Sequence, residues 1–383
     1  MGKEKSGGSR NKMKILYIGH YKENSGWSNA AINNILALDS IGIDVVCRDI
    51  KLTGTPAKVP QKILELESKS LDNVDFCIQH VLPHHLTGTK KFKKNIAYFV
   101  HESSSIKHNS WFVNLQNMDE VWVPTNYAKN NLSIDGIKDI KVVPHAFDVF
   151  KYQNEYPLSN VSRMKSFKFY TIADINDRKN IDSIIRCYFS EFDISDEVML
   201  ILKIKKYGMS SEDLDRYIAN KIDNTKKQLR MHKNPELYPK CFAITSDIDE
   251  QQIYSLHQSC DCFVGISHGE GWSIPAFEAM CFGKTPICSN EGGPSEFIDP
   301  NDKSTGTLIN GSRTICNHSD PAFPNIFTGF ETWFQPDEQE VKNAMRYYYS
   351  NKNSVNKIAG IKQSRNFSFE KIGNTIKELL NDQ

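Results

Sequence analysis

Ser267-His268-Gly269-Glu270-Gly271-Trp272-Ser273-Ile274-Pro275-Ala276-Phe277-Glu278-Ala279-Met280 decides how the rest of this 383-residue chain is read. It follows the apolar run Asp261–Ile266, which predicts a strand. Its second half predicts a helix: Pro275 suits the first turn, Ser273 or Ile274 the cap, and Gly283 the stop. Glu270 stands on a glycine-flanked loop and Glu278 about one helical turn in, with seven residues between them. The helix around Glu278 is largely apolar (Ala276, Phe277, Ala279, Met280), so its carboxylate needs a partner; leaving it desolvated and unpaired is costly.

The same alternation of strand and helix runs outward in both directions. Strands are predicted at Lys14–Ile18, Asp44–Cys47, Phe76–Val81, Ile96–His101, Glu120–Pro124 and Lys141–Pro144, then at Phe167–Ile172, Met199–Lys203, Cys241–Thr245, Asp261–Ile266, Thr285–Ser289 and Thr307–Ile309. Most are continuous runs of Val, Ile, Phe and Tyr, the pattern of strands buried on both faces. Strands of that kind separated by helices predict the α/β class, with parallel sheets covered by helices on both sides. The alternation occurs twice, broken at Asp148–Lys165, a polar stretch with Pro157 and no period, which reads as a linker. At the far end Ser368 suits an N-cap, Phe367 and Ile372 a hydrophobic staple, and Ile372, Ile376, Leu379 and Leu380 an apolar stripe.

Bulk properties fit this reading. The length predicts two domains; 39% hydrophobic and 24% charged residues fit a globular chain, and a net charge of +1 forces neither a nucleic-acid nor a membrane-surface role. No apolar run reaches the length of a spanning helix. Residues 1–12 are rich in Gly, Ser and Lys/Arg without an apolar core, and read as a disordered lead rather than a secretory signal. The nine cysteines are scattered, with only Cys260 and Cys262 close together, and read as reduced core residues of a cytoplasmic protein; no second Cys/His pair has metal-ligand spacing.

Five more loops follow predicted strands. Gly19-His20-Tyr21-Lys22-Glu23-Asn24-Ser25-Gly26-Trp27 precedes a helix of about 14 residues, and offers either backbone N–H groups to a phosphate or an ordinary strand–helix connection. It lacks the Gly-x-Gly turn of dinucleotide binders. His101, in Val100-His101-Glu102-Ser103, and His145, in Val143-Pro144-His145, each suit a substrate hydroxyl or a structural bond. Arg178-Lys179, in Asp174-Ile175-Asn176-Asp177-Arg178-Lys179-Asn180, puts two adjacent cations where a diphosphate would sit, and Lys203 ends another strand. Asn290-Glu291-Gly292-Gly293-Pro294-Ser295-Glu296 predicts a second N–H cradle at a helix start.

At these residues the sequence resembles the retaining glycosyltransferases of the GT-B fold, family 4. The resemblance rests on Glu270-x7-Glu278, Gly292-Gly293-Pro294-Ser295-Glu296, Asp119-Glu120-Val121-Trp122-Val123-Pro124-Thr125 and Val143-Pro144-His145, in the family's order from Lys14 to Leu380. It implies two Rossmann-like domains with a cleft between them: an acceptor domain of residues 13–155, joined by a C-terminal helix (367–383) that crosses back to it, and a donor domain of residues 160–366. The donor would be a UDP- or GDP-linked sugar, and the family needs no metal or cofactor. The acceptor stays open between glycan, lipid-linked sugar, protein and modified nucleic acid. Carried over by position, Glu270 lies by the donor sugar and His101 near its reacting carbon. Glu278 holds the ribose, Lys179 the diphosphate, and backbone N–H groups around Gly271, Trp272, Ser273 and Ile274 meet sugar and phosphate. The Gly-rich loop at Gly26 is thinner than the family's. The family's phosphate-binding Arg is replaced by Asp174, leaving Arg178 or Lys203 to supply the charge. Other readings on the same fold are a sugar-nucleotide epimerase, a phosphorylase with a pyridoxal-phosphate lysine, and a non-catalytic sugar-nucleotide binder.

Overall fold

The computed structural model describes residues 13–52, 56–316 and 326–381. The predicted lead at residues 1–12 and the last two residues of the predicted terminal helix lie outside them. Two six-stranded parallel sheets form the framework. The first contains β1 (Lys14–Gly19), β2 (Asp44–Asp49), β3 (Phe76–His80), β4 (Lys94–Tyr98), β5 (Glu120–Val123) and β6 (Ile140–Val142), in the order β2-β1-β3-β4-β5-β6. The second contains β7 (Phe167–Asp174), β8 (Val198–Lys205), β9 (Lys240–Ile244), β10 (Cys262–Gly265), β11 (Ile287–Ser289) and β12 (Thr307–Ile309), in the order β12-β11-β10-β7-β8-β9. Each matches one of the twelve predicted runs, and β3 and β5 are buried along their whole length. Burial on both faces is why these strands read as continuous apolar segments.

The strand order places the site. In the second sheet the chain moves outward from β7 through β8 and β9, then returns to the other side of β7 for β10, β11 and β12. The loops leaving β7 and β10 therefore diverge at a topological switch point, the crevice where open α/β sheets take ligands. The first sheet has its own switch between β1 and β3.

The terminal helix, Phe369–Asn381, crosses back as expected. Its buried Ile372, Ile376 and Leu380 join the core that holds Ala37 and Leu38 of the helix Gly26–Ser40. A Cβ on Gly373 would come within 2.7 Å of the Ala37 carbonyl oxygen, so the small residue sets the spacing of the two helices. The crossing is pinned where Phe147 N–H donates to Phe367 O (2.8 Å) and Phe369 N–H donates to Phe147 O (3.1 Å).

One element was not foreseen. An antiparallel hairpin, β13 (Gly311–Ile315) with β14 (Thr332–Pro336), stands outside both sheets. All nine cysteines are free, and all but the half-buried Cys241 are buried. No helix among the described residues is long and apolar enough to cross a membrane.

Candidate active site

The loop from β7 closes as a tight turn. Asn176 caps it by accepting from Lys179 N–H at 3.1 Å, and Asn180 leaves it in a left-handed conformation, φ 53°. Asn180 Nδ2 then donates to Ile266 O (3.1 Å), His268 N–H donates to Arg178 O (2.8 Å) and Arg178 Nη1 donates to Gly269 O (2.7 Å). These bonds lace the β7 loop to the β10 loop and bring Glu270 onto the two cations.

Glu270 is 7% exposed, and its Oε1 accepts from Lys179 Nζ and from Ser267 Oγ, both at 2.7 Å. Arg178 Nη1 lies 3.7 Å from the other carboxylate oxygen. Burial pushes the Glu270 carboxyl up, but Lys179 and Arg178, with the bonds from Lys179 and Ser267, outweigh it and hold it below its ordinary value. The group is a fixed anion between cations, suited to orienting hydroxyls.

Beyond Glu270 the chain enters the helix Ile274–Cys281 through Ser273, which is left-handed at φ 68° and makes no side-chain cap bond. Pro275 lies in the first turn as predicted. Without a cap, the positive end of the helix is not neutralised by its own side chain. The Trp272 indole is core instead, 3% exposed, packed on Phe147, Phe277, Phe297 and Phe367.

Glu278 is not beside Glu270's cations. Its carboxylate accepts from Tyr152 Oη at 3.2 Å and lies 3.5 Å from His257 Nε2, while Tyr170 Oη bonds His257 Nδ1 at 2.7 Å. The predicted partner of this buried acid is thus a Tyr–His pair. Gly292 and Gly293 also differ from expectation. Gly293 N–H donates to Glu270 O (3.1 Å), and Cβ atoms on the two glycines would fall 2.0 Å from Glu270 O and 2.1 Å from Trp272 O. Instead of forming an open N–H cradle, this segment packs backbone to backbone against the Glu270–Trp272 loop.

Asp174, at the end of β7, faces Lys205 at 3.8 Å. Lys203, on β8, is 6% exposed; burial lowers its pKa, and its ammonium donates only a long 3.4 Å bond to Ile204 O. Of the two cations proposed to replace the missing Arg, Arg178 is the one that reaches Glu270.

The carboxyl edge of the first sheet supplies the opposite wall. His101 is buried, and its Nε2 has no hydrogen-bond partner. Burial lowers its pKa to about 4, although Asp135, a backbone bond at Ser103 and Glu331 pull the other way. A neutral imidazole with one unused nitrogen can bond a substrate hydroxyl. His145, lowered to about 3 by burial, is structural: its Nδ1 lies 3.1 Å from Tyr98 Oη. Gly26 is exposed, with Ile274 Cδ1 3.8 Å from the place of a Cβ, so the two helix starts face each other across the cleft. That first helix is capped by its own Ser25, which accepts from Ser28 N–H at 3.2 Å.

The unforeseen hairpin ties the walls together. Trp333 stacks on His268 (5.6 Å, 7°), and Phe334 and His268 exchange two bonds of 2.8 and 2.9 Å. On the other side Ser104 N–H donates to Thr332 O (3.1 Å), Thr332 N–H donates to Ser104 Oγ (2.8 Å), and His108 lies 4.3 Å from Phe330. Among the described residues no group of three or more His, Cys, Asp and Glu has the arrangement of a metal site.

Residues 153–314 match the family described as Glycosyl transferases group 1. No curated protein matches the chain. Among solved structures, sucrose-phosphate synthase from Thermosynechococcus elongatus is similar at TM-score 0.65 and 14% identity, over 97% of this chain and 99% of that one. Anabaena HepE, solved with UDP-glucose, is similar at 0.60 and 17%, over 97% and 100%. A glycosyltransferase from Rickettsia africae is similar at 0.63 and 15%, over 97% and 98%. Residues 153–314 thus carry a glycosyl transferases group 1 domain, on a chain whose two parallel sheets, meeting at their carboxyl edges, have the GT-B fold of the glycosyltransferases to which it is similar.

Proposed function

We propose that the protein moves a sugar from a UDP- or GDP-linked donor to an acceptor hydroxyl with retention of configuration and without a metal. The observation that carries this reading is the Lys179–Glu270–Arg178 cluster at the switch point of the second sheet. Residues 160–366 take the donor and residues 13–155, with the terminal helix, take the acceptor. Lys179 and Arg178 neutralise the diphosphate, with Lys203 behind them. The uncapped helix start around Gly271, Trp272, Ser273 and Ile274 faces sugar and phosphate with its backbone. Glu270 orients the sugar hydroxyls, His101 approaches the sugar from the other wall, and Glu278 serves the ribose end. Gly26 leaves room opposite Ile274. The buried free thiols agree with a reducing, cytoplasmic setting.

In the transfer the bond from the sugar's anomeric carbon to the β-phosphate oxygen breaks through an oxocarbenium-like state. The acceptor oxygen bonds that carbon on the same face, and its proton passes to the departing phosphate. Charge growing on the phosphate is met by fixed cations and by the helix dipole. HepE was solved with UDP-glucose, which favours a nucleotide sugar here by analogy of fold.

A thermal-shift panel of sugar nucleotides tests the donor, because binding to the folded state raises Tm by mass action. Product analysis by NMR then tests retention. Release of an epimerised nucleotide sugar without acceptor would favour an epimerase, and binding without hydrolysis or transfer a non-catalytic binder. Loss of activity on chelation with recovery in Mn²⁺ would overturn metal independence.

A further inference from the structure

The turns Val100–Glu102 and Gly269–Gly271 come from opposite walls and touch. A Cβ on Gly271 would lie 1.9 Å from Val100 Cγ1, and a Cβ on Gly269 2.1 Å from the Glu102 carbonyl oxygen. Carbon atoms rest at about 3.5–4.0 Å from one another, so neither position admits a side chain while the walls are docked. Neither glycine has a positive φ. Their requirement for glycine comes from the opposite wall and not from their own backbone.

Charge follows the same seam. Glu102 Oε1 lies 3.0 Å from Arg178 Nη1, the nitrogen that also donates to Gly269 O. Arg178 is therefore gripped by a carboxylate from one wall and a carbonyl from the other. A guanidinium fixed in this way has less freedom to lose when it meets a phosphate. The two bonds between Ser104 and Thr332 continue the seam.

We propose that Val100 and Glu102 are positioning residues for the transfer. Docking of the Val100–Glu102 turn onto the Gly269–Gly271 turn sets Arg178 beside the already placed Lys179–Glu270 pair, so that the phosphate side of the site is complete only when the walls are closed on this seam. The inference rests on the proposed transfer for its catalytic meaning. The seam itself is measurable with no substrate present.

The test uses the full chain as wild type, Gly271→Ala, and Gly271→Ala combined with Val100→Ala. Small-angle scattering of the ligand-free protein reports closure, the Tm rise with UDP reports the donor site, and release of glucose from UDP-glucose reports turnover. Gly271→Ala is expected to scatter as a more open particle and to lose about 10²-fold in kcat, the scale of a small misplacement of reacting groups. Adding Val100→Ala removes the obstructing methyls, and is expected to restore compactness and at least about tenfold of the lost rate. A separate Glu102→Gln variant should lower kcat with donor KM nearly unchanged, and Glu102→Asp should recover part of the loss. Failure of the double variant to regain either compactness or rate overturns the proposal. Scattering that responds as expected, in a protein whose wild type shows no Tm rise with UDP or any other sugar nucleotide, overturns the donor reading and leaves the seam standing.

Discussion

Lys179 Nζ lies 2.7 Å from Glu270 Oε1, although the two residues are 91 positions apart in the chain. The contact exists because β7 and β10 are neighbours in the sheet, with the loop that leaves one meeting the loop that leaves the other. Ser267 holds the same carboxylate oxygen, so Glu270 is placed before any ligand arrives.

From that placement, Glu270→Ala should lower kcat by about 10²–10³-fold, the range for removing one pre-positioned polar group from a reacting centre. It also strands the half-buried Lys179, so Tm should fall. Steady-state kinetics on the donor found by thermal shift check the first effect, and unchanged kcat would contradict the role given to Glu270.

Lys203 should show a trade of stability against binding. Its ammonium is buried with only a long backbone bond, a costly arrangement in the ligand-free protein. Lys203→Met keeps the apolar stem and removes the charge. Its Tm without ligand should rise, and the further rise with UDP should shrink. An unaltered UDP response would remove Lys203 from the donor site.

Glu278 and Tyr152 separate two roles that the sequence merged. Tyr152→Phe removes the donor to Glu278 and should cost about 0.5–1.5 kcal/mol of stability, with donor KM unchanged. Glu278→Ala should raise donor KM as well as lower Tm. Equal KM in both variants would make Glu278 a purely structural acid.

Stability should fall on the acid side. His101 and His145 are pushed down by burial to about 4 and about 3 from 6.5, and burial lowers His80 well below the same value. The unfolded chain therefore binds protons below pH 6.5 that the folded chain refuses. Stability is full above 6.5 and declines as pH drops towards 4. Glu270, depressed in the fold, adds a loss in the same direction at pH below its ordinary 4.5. Tm measured across this range should be flat above neutrality and drop below 6.5, with a shallower drop in His145→Gln. A profile equally steep in that variant would exclude His145 as a contributor.

The sheet framework was readable along the chain because its strands are buried on both faces and so are written as unbroken apolar runs; all twelve appear where those runs lie. The helix starts at Ser273–Pro275 and Ser368 were readable too, since capping and Pro preference are local. The hairpin was not. β13 is largely exposed and short, β14 is only partly apolar, and their meaning lies in His268 and Ser104, far away in sequence.

The sequence by itself determined the α/β architecture, the two carboxylates of Glu270-x7-Glu278 and the adjacent cations, because strand burial, helix caps and residue spacing are properties of short segments. Tertiary structure decided who meets whom. It set Glu270 on Lys179, turned Glu278 towards Tyr152 and His257, closed Gly292 and Gly293 onto the Glu270–Trp272 backbone, and gave Arg178 to Glu102 of the opposite wall. Those pairings depend on which strands are neighbours and on how two walls dock, and no local preference along the chain encodes either.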